Sequence, residues 1–406
     1  MNSFTLPPFQ ADGPIKPITC VEMHTAGEPT RILWSGFPEL TGTLLEQRAQ
    51  AKAKHDDFRK FLMLEPRGHY DMYGAILRTE TELVSTGEAD IGVLFIHNEG
   101  FSTMCGHATI ALGRFLVDVD ESVFPRRRQL KYDSVSGTTR LNLHVPCGMV
   151  EVTVPTLPTG KSDPSRPVSF VSVPSFATAI SLQVPLPEKY RWPELQGRTY
   201  VTADFAYGGA YYCLINAKDL GFPAGLGEAE VQKMDHATRL LKEAVVTNPE
   251  LAYVTKDVVT GEQGYLYSIM IVDSSLGHVD AAERTAGFET QQGVDAEETG
   301  LCFFANQQIE RSPTGGCVAA RVALAHAKGT RALGEKCVYN SLFTRAYPAL
   351  SGFVGSVFDS VEGRQWVRVL VGGYAYYTGT HCFVVEKEDG IGIDGFSVKD
   401  VSKVTK

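Results

Sequence analysis

Two stretches of this sequence share one plan, and they lie about half a chain apart. Each begins as a polar turn, passes through glycine and continues as an almost wholly apolar run of helical length. The first begins at Cys105-Gly106 and the second at Thr314-Gly315. Cys105 and Thr314 are 209 residues apart in a chain of 406. This spacing predicts an internal duplication, with two lobes that each contain one buried helix.

The start of such a helix offers free backbone N–H groups and a partial positive charge. Two helix starts that face one cleft would bind a carboxylate between them, because glycines leave the amides open. A cysteine at a helix start is expected to have a lowered pKa, so Cys105 is a candidate base or nucleophile. Its alternative interpretation is a buried structural cysteine. Thr314 has the equivalent position, but a hydroxyl gives up its proton far less readily than a thiol does.

Further motifs accompany the two helix starts, and together they resemble the proline racemase family. They include His24–Pro29, Leu62–His69, Met104–His107, Phe205–Gly209, Arg311–Pro313 and Tyr377–Gly379. Racemases and epimerases of this family have a cysteine at both helix starts. In the family, a cysteine paired with a threonine marks the enzymes that dehydrate trans-3-hydroxy-L-proline. The pair of Cys105 and Thr314 matches that second pattern.

The resemblance implies a reaction and a role for each site residue. The expected reaction is a cofactor-independent dehydration of trans-3-hydroxy-L-proline to Δ1-pyrroline-2-carboxylate and water, in which Cys105 abstracts the α-proton. The expected catalytic residues are Cys105 and Thr314. The residues expected to bind the substrate carboxylate or ring nitrogen are Gly106, His107, Glu310, Gly315 and Gly316. Glu310 stands where most relatives have aspartate, and Gly316-Cys317 departs from the usual Thr/Ser-Gly.

The chemistry of the two residue types points to the same reaction. A carbanion next to a carboxylate is hard to form, and amides that clamp the carboxylate offset its charge. A racemase needs a second acid on the opposite face, which Thr314 cannot readily supply. A hydroxyl on the carbon beside Cα can instead leave as water, whereas a hydroxyl at C4 is one carbon too far.

The resemblance also implies the fold. It is an α/β fold of two pseudo-symmetric lobes, each a mostly antiparallel sheet around a central helix, like that of diaminopimelate epimerase. We expect a flexible leader over residues 1–16, a first lobe over 17–165 plus 371–398, and a second lobe over 166–370. Charges at helical spacing over Leu44–Leu62 predict one exposed helix.

Composition narrows the partners and the compartment. The net charge of −9 argues against nucleic acid and anionic membranes, because both bind basic surfaces. No apolar run approaches the roughly 20 residues that span a bilayer. Eight scattered cysteines without a Cys-x-x-Cys pair favour a reducing compartment. We therefore expect a cytoplasmic homodimer whose partner is a small amino-acid substrate, with no nucleic acid and no membrane.

Three other functions stay open from the residues alone. One is a racemase or epimerase that uses a single cysteine with water as the second acid. Another is a non-catalytic amino-acid-binding homologue. The third, a metal-dependent hydro-lyase, lacks a ligand cluster in the sequence, so we expect no metal. Nor do we expect a nucleotide cofactor, because only 11 residues follow the dinucleotide-like glycines of Gly390–Gly395.

Overall fold

The protein is represented by a computed structural model that describes residues 16–257, 261–273, 275–276 and 294–398. The expected leader over residues 1–16 lies outside these ranges, apart from residue 16. The first strands are β1 (Ile18–Thr25), β2 (Glu28–Ser35), β3 (Tyr73–Arg78), β4 (Ile91–His97), β5 (Phe101–Ser102), β6 (Tyr132–Asp133), β7 (Thr138–Val145), β8 (Gly148–Pro155) and β9 (Val168–Val171). The later strands are β10 (Phe176–Pro185), β11 (Tyr200–Tyr207), β12 (Tyr211–Asn216), β13 (Leu266–Asp273), β14 (Ala296–Phe304), β15 (Gln308–Ile309), β16 (Lys336–Ser341), β17 (Phe353–Val361), β18 (Trp366–Gly373) and β19 (Ala375–Phe383).

The described α-helices are few and differ in burial. They are α1 (Leu44–Lys54), α2 (Asp56–Met63), α3 (Glu82–Thr86), α4 (Gly106–Asp118), α5 (Val231–Val246), α6 (Gly315–Ala327) and α7 (Leu342–Ala346). The single helix predicted over Leu44–Leu62 is wrong, because His55 ends α1 and begins α2. The prediction of exposure fails for α2 as well, since Phe61, Leu62 and Met63 are buried. In the part of the chain that the structure describes, no helix is both long and apolar enough to cross a membrane.

The strand pairings run through the same series twice. We call β19 and β1–β9 with α4 the first lobe, and β10–β18 with α6 the second lobe. The order is β19–β1–β2–β3–β4–β7–β8–β9 in the first and β10–β11–β12–β13–β14–β16–β17–β18 in the second. In both lobes the third strand pairs in parallel with the fourth and the fifth with the sixth, and the other pairs in these two series are antiparallel.

One antiparallel pair, β9 with β18, joins the two series into a single sheet. The chain then returns through β19, which pairs with β1 of the first lobe. The predicted α/β class, with two pseudo-symmetric and mostly antiparallel lobes around central helices, is confirmed. The lobe boundaries predicted near residues 165 and 370 stay predictions. Strand β9 of the first lobe pairs with β18 of the second, so the sheet runs on without a gap between the lobes.

The two central helices occupy equivalent places. Helix α4 packs against β19, β1, β2, β8 and β9, and α6 packs against their counterparts β10, β11, β12, β17 and β18. Eleven of the thirteen residues of α4 and ten of the thirteen of α6 are buried. Each large apolar side chain removed from water contributes about 2 kcal/mol. Burial on all sides therefore holds both helix starts at fixed positions at the interface of the lobes.

Candidate active site

The start of α4 is fixed by its own side chains and by a neighbouring strand. Cys105 is the N-cap residue in an extended conformation, and its Sγ accepts a hydrogen bond from the Ala108 amide at 3.4 Å. Thr109 Oγ1 donates to the Cys105 carbonyl at 2.7 Å, and Thr25 Oγ1 of β1 donates to the His107 carbonyl at 2.9 Å. The thiol therefore lies at the helix N-terminus, where the amides have no partners within the helix.

The start of α6 has a different local structure. Thr314 is the N-cap residue, but its φ of +64° places it in the left-handed region, which a β-branched residue rarely adopts. Its side chain makes no capping hydrogen bond, and its amide instead donates to Ser312 Oγ at 3.1 Å. The buried Thr314 hydroxyl has no hydrogen-bond partner of normal geometry among the described residues. The two helix starts are thus equivalent in position and unlike in conformation.

Glycines allow the two helix starts to touch. A Cβ atom on Gly106 would lie 2.4 Å from Gly315 Cα, and one on Gly315 would lie 2.7 Å from Gly106 Cα. Any side chain at either position would force the helices apart. A Cβ atom on Gly316 would lie 2.6 Å from Tyr212 Oη. The free amides of both helices therefore converge on one small region, which suits a carboxylate.

Three predicted residues form a continuous contact at this region. The His107 ring nitrogens lie 3.4 and 3.5 Å from Cys105 Sγ, and its Nδ1 lies 2.9 Å from Glu310 Oε1. Ser312 Oγ also donates to Glu310 Oε1. All three predicted residues are buried, so their charges interact through little intervening water. A cysteine and a histidine of the first lobe thus meet a carboxylate of the second.

The pKa of Cys105 differs from the sequence-based expectation. A helix start was expected to lower it, but burial raises the pKa of the thiol, against the opposing effect of His107. Burial lowers the pKa of His107, but Cys105 and Glu310 outweigh burial and raise it well above the usual value. The thiolate of Cys105 therefore depends on the charged imidazole beside it more than on the helix start.

Glu28 is a member of the site that the sequence patterns did not predict. Glu28 begins β2 and is completely buried, and its Oε2 accepts a hydrogen bond from the Arg311 amide at 2.6 Å. Burial, and then the neighbouring Glu310, raise the pKa of the Glu28 carboxyl to about 8. The signal available in the sequence was the motif His24–Pro29, in which His24 serves the turn by accepting a hydrogen bond from the Gly27 amide at 3.3 Å.

Aromatic rings complete the wall around His107. The ring of Tyr73 lies edge-on to that of His107, at 4.8 Å between centroids, and its hydroxyl bonds to Ser102 Oγ. The side chain of Tyr267 interacts with that of Tyr73, and burial raises the pKa of both tyrosines well above the usual value. These rings exclude water from the imidazole.

One set of side chains at the site has the composition of a metal-ligand group. Among the described residues, Glu28, His107 and Glu310 each place a ligand atom within 4.8 Å of the others. A cation there would have to displace the hydrogen bond between His107 and Glu310. The arrangement therefore fits a substrate ammonium, which can donate hydrogen bonds to the same carboxylates, at least as well as a metal ion.

Comparison with known proteins places the chain in a family. The family model described as proline racemase matches residues 20–397. The chain belongs to the proline racemase family. The predicted family resemblance is therefore confirmed.

Individual relatives agree with this placement. A trans-L-3-hydroxyproline dehydratase of Pongo abelii is 37% identical over 97% of this chain and 98% of its own length. A trans-3-hydroxy-L-proline dehydratase of Homo sapiens is 36% identical, with the same coverage of both chains. These two family members match the chain nearly end to end.

Solved structures of the family share the fold. A probable proline racemase of Agrobacterium radiobacter K84, with bound carbonate, is 22% identical, with a TM-score of 0.72 over 95% of this chain and 97% of its own. A hydroxyproline epimerase of Agrobacterium vitis, with bound trans-4-hydroxy-L-proline, is 21% identical, with a TM-score of 0.71 over 96% and 98%. At these identities the likeness supports the shared fold of the proline racemase family.

Proposed function

We propose that the protein dehydrates trans-3-hydroxy-L-proline to Δ1-pyrroline-2-carboxylate and water. The observation that carries the proposal is the unequal pair of helix starts. Cys105 contacts an imidazole at one start, whereas the buried Thr314 hydroxyl at the other has no hydrogen-bond partner of normal geometry among the described residues. Relatives that bear the dehydratase name and match the chain at 36–37% identity support the same reaction.

The substrate carboxylate would lie against the amides at the starts of α4 and α6. Two positive helix ends stabilise the charge that moves toward the carboxylate when the α-proton is removed. Glu310, held by Ser312 and by His107 of the first lobe, would bind the ring ammonium. In this pose Cα lies between Cys105 and Thr314.

Cys105 would take the α-proton as a thiolate paired with the imidazolium of His107. The electron pair left at Cα forms a double bond to C3 as the 3-hydroxyl leaves, which gives an enamine. The enamine then tautomerises to the imine. Thr314 returns no proton to Cα, because its hydroxyl is a very weak acid, so elimination is the exit open to the carbanion.

We infer that the enzyme works without a metal or organic cofactor, since the two helix ends can stabilise the carbanion alone. Activity should survive prolonged chelation and dialysis. Loss of activity after chelation, restored by a divalent ion at Glu28, His107 and Glu310, would favour the metal hydro-lyase.

We also infer a cytoplasmic homodimer. The eight free cysteines support a reducing compartment, and light scattering in solution would test the dimer.

The deciding experiment is incubation with trans-3-hydroxy-L-proline, followed by trapping of the imine product and proton NMR of the remaining substrate. Imine formation is expected. An epimer without imine would favour a one-cysteine epimerase. Protection of Cys105 from alkylation by the amino acid, without any turnover, would favour a non-catalytic binding protein. Trans-4-hydroxy-L-proline is the matched control, since its hydroxyl cannot leave by β-elimination.

A further inference from the structure

One of the two carboxyl oxygens of Glu28 has no hydrogen-bond partner among the described residues. One oxygen, Oε2, accepts the Arg311 amide, but Oε1 is buried and has no hydrogen-bond partner among the described residues. Buried polar atoms nearly always have a partner, because a buried polar atom without a hydrogen bond has lost its contact with water and gained nothing in return. An unpaired buried oxygen beside an active site is therefore a candidate contact for a polar group of the substrate.

Glu28 belongs to the lobe that carries the base. It lies on β2, which packs against α4, and Thr25 of the same hairpin bonds to the His107 carbonyl. One carboxyl oxygen of Glu28 lies within 4.8 Å of a ring nitrogen of His107 and of an oxygen of Glu310. Glu28 is thus close to the Cys105–His107 pair and on its side of the cleft.

The stereochemistry of the proposed substrate determines from which face of the ring an acid can reach the leaving hydroxyl. In trans-3-hydroxy-L-proline the hydroxyl and the carboxylate lie on opposite faces of the ring. The hydroxyl therefore shares a face with the α-hydrogen, which Cys105 removes. A group that protonates the leaving hydroxyl must therefore approach the ring from the side of Cys105, which Thr314 on the opposite side cannot do.

We propose that Glu28 is a catalytic acid that donates its proton to the leaving 3-hydroxyl, a role that rests on the proposed dehydration. Hydroxide is a poor leaving group, since water has a pKa of about 15.7, and protonation as the C–O bond breaks removes this barrier. His107 is less suited, because its Nδ1 is engaged with Glu310.

The proton balance closes without a further reactant. Cys105 thiolate takes the α-proton, the C2–C3 double bond forms, the C3–O bond breaks and Glu28 gives its proton to the departing oxygen. The products are water and the enamine, with Cys105 left as a thiol and Glu28 as a carboxylate. One proton transfer from thiol to carboxylate restores both groups, and His107 lies between them.

The charges around Glu28 keep it protonated near neutral pH. Glu310 faces it from the second lobe, and burial together with that carboxylate raises its pKa to about 8, against the opposing effects of His107 and Arg311. The Arg311 guanidinium also forms an ion pair with Asp71, in which Nη2 lies 3.4 Å from Oδ2. Because Cys105 is also close to His107, a thiolate there would further disfavour ionisation of Glu28.

The test compares two leaving groups in Glu28→Gln. Glutamine can still accept the Arg311 amide but has no acidic proton to give. Dehydration of trans-3-hydroxy-L-proline should fall about 10²–10⁴-fold, the usual contribution of a general acid. Fluoride release from trans-3-fluoro-L-proline, followed by fluorine NMR, should stay within about fivefold of wild type, because fluoride leaves without prior protonation.

Glu310→Gln is the matched control, since it changes the other buried carboxylate and should weaken both substrates alike. Equal loss of both reactions in Glu28→Gln would make Glu28 a positioning residue and overturn the proposal. Unchanged dehydration would overturn it too, and would indicate that the Cys105 thiol returns its own proton to the leaving group. A wild-type enzyme that releases fluoride but does not dehydrate the hydroxy substrate would refute the proposed function instead.

A second measurement needs no variant. In wild type, the ratio of dehydration rate to fluoride-release rate cancels the ionisation of Cys105, which both reactions share. The ratio should fall as pH rises through about 8, where Glu28 loses its proton. A ratio that is flat from pH 6 to 10 would overturn the proposal even if Glu28→Gln failed to fold.

Discussion

The starts of α4 and α6 occupy equivalent positions in the two lobes, yet they differ in conformation and chemistry. Cys105 is extended, caps its helix and contacts His107, whereas Thr314 is left-handed, makes no capping bond and donates its own amide to Ser312. The glycines that follow are shared, and they touch each other. Both lobes therefore have a glycine at the helix start, whereas only the first has a thiol that contacts an imidazole there.

This difference separates two tasks. In the proposed mechanism, binding of the carboxylate needs both helix ends, so both lobes would have to keep glycine there. Removal of the proton would need one thiol and its imidazole, so the other lobe would be free to change. Four experiments, in order of expected effect, test this division of labour.

Cys105→Ser should reduce dehydration at least about 10³-fold, a barrier change of about 4 kcal/mol, because a serine hydroxyl stays protonated beside His107. Steady-state kinetics with trans-3-hydroxy-L-proline would measure it. Thr314→Ser is the control and should change the rate far less. A rate for Cys105→Ser within about tenfold of wild type, or about 1.4 kcal/mol, would remove Cys105 from the mechanism.

Gly106→Ala and Gly315→Ala should damage the enzyme about equally, although one lies beside the base and the other does not. Each added Cβ would meet backbone of the opposite helix at under 3 Å. We expect kcat/KM to fall about 10²-fold, the usual result of misplacing reacting groups by about 1 Å. Gly100→Ala is the control, because its Cβ would meet nothing within 4 Å. A large effect at one glycine alone would contradict shared carboxylate binding.

Thr314→Cys should add a proton route on the second face. Substrates without a 3-hydroxyl, such as L-proline and trans-4-hydroxy-L-proline, should then exchange and invert at Cα at least about tenfold faster than in wild type. Proton NMR in deuterium oxide would follow both changes. The left-handed φ of Thr314 keeps the gain modest, since the new thiol starts from a backbone unlike that of Cys105. Rapid inversion by wild type would show that Thr314 is not the switch.

The smallest effect concerns stability. The Glu28 carboxyl has a pKa of about 8 in the folded protein and about 4.5 when exposed, so folding favours its protonated form. Stability from this group is present below pH 4.5 and is lost as pH rises towards 8. Glu28→Gln has no such loss, so its Tm relative to wild type should rise by about a few degrees between pH 5 and 8. Calorimetry that found the same difference at both pH values would contradict a neutral Glu28.

Sequence reasoning reached the repeat and the two helix starts because both have local signals. Glycine followed by an apolar run of helical length predicts a buried helix at both places, and α4 and α6 begin at Gly106 and Gly315. The positions of Cys105 and Thr314 at the helix N-caps follow from the same pattern. Their catalytic roles stay predictions.

What the sequence could not predict depends on contacts between the lobes. The pKa of Cys105 is raised by burial that the second lobe completes, and the motif around Glu28 does not reveal that this side chain points inward. The left-handed conformation of Thr314 contradicts its β-branched residue type, so only the surrounding structure can impose it. The break at His55 likewise lacks a glycine or proline signal.

The contact between Gly106 and Gly315 has an electrostatic consequence. Each helix start carries roughly half a positive charge, and the two ends lie against each other in a buried place. Like charges at such a distance repel, so the lobes gain from an anion between them. In the proposed binding mode, the substrate's carboxylate would offset this repulsion and so stabilise the contact between the lobes. Esters and amides of the same amino acid lack that charge and should not stabilise the contact.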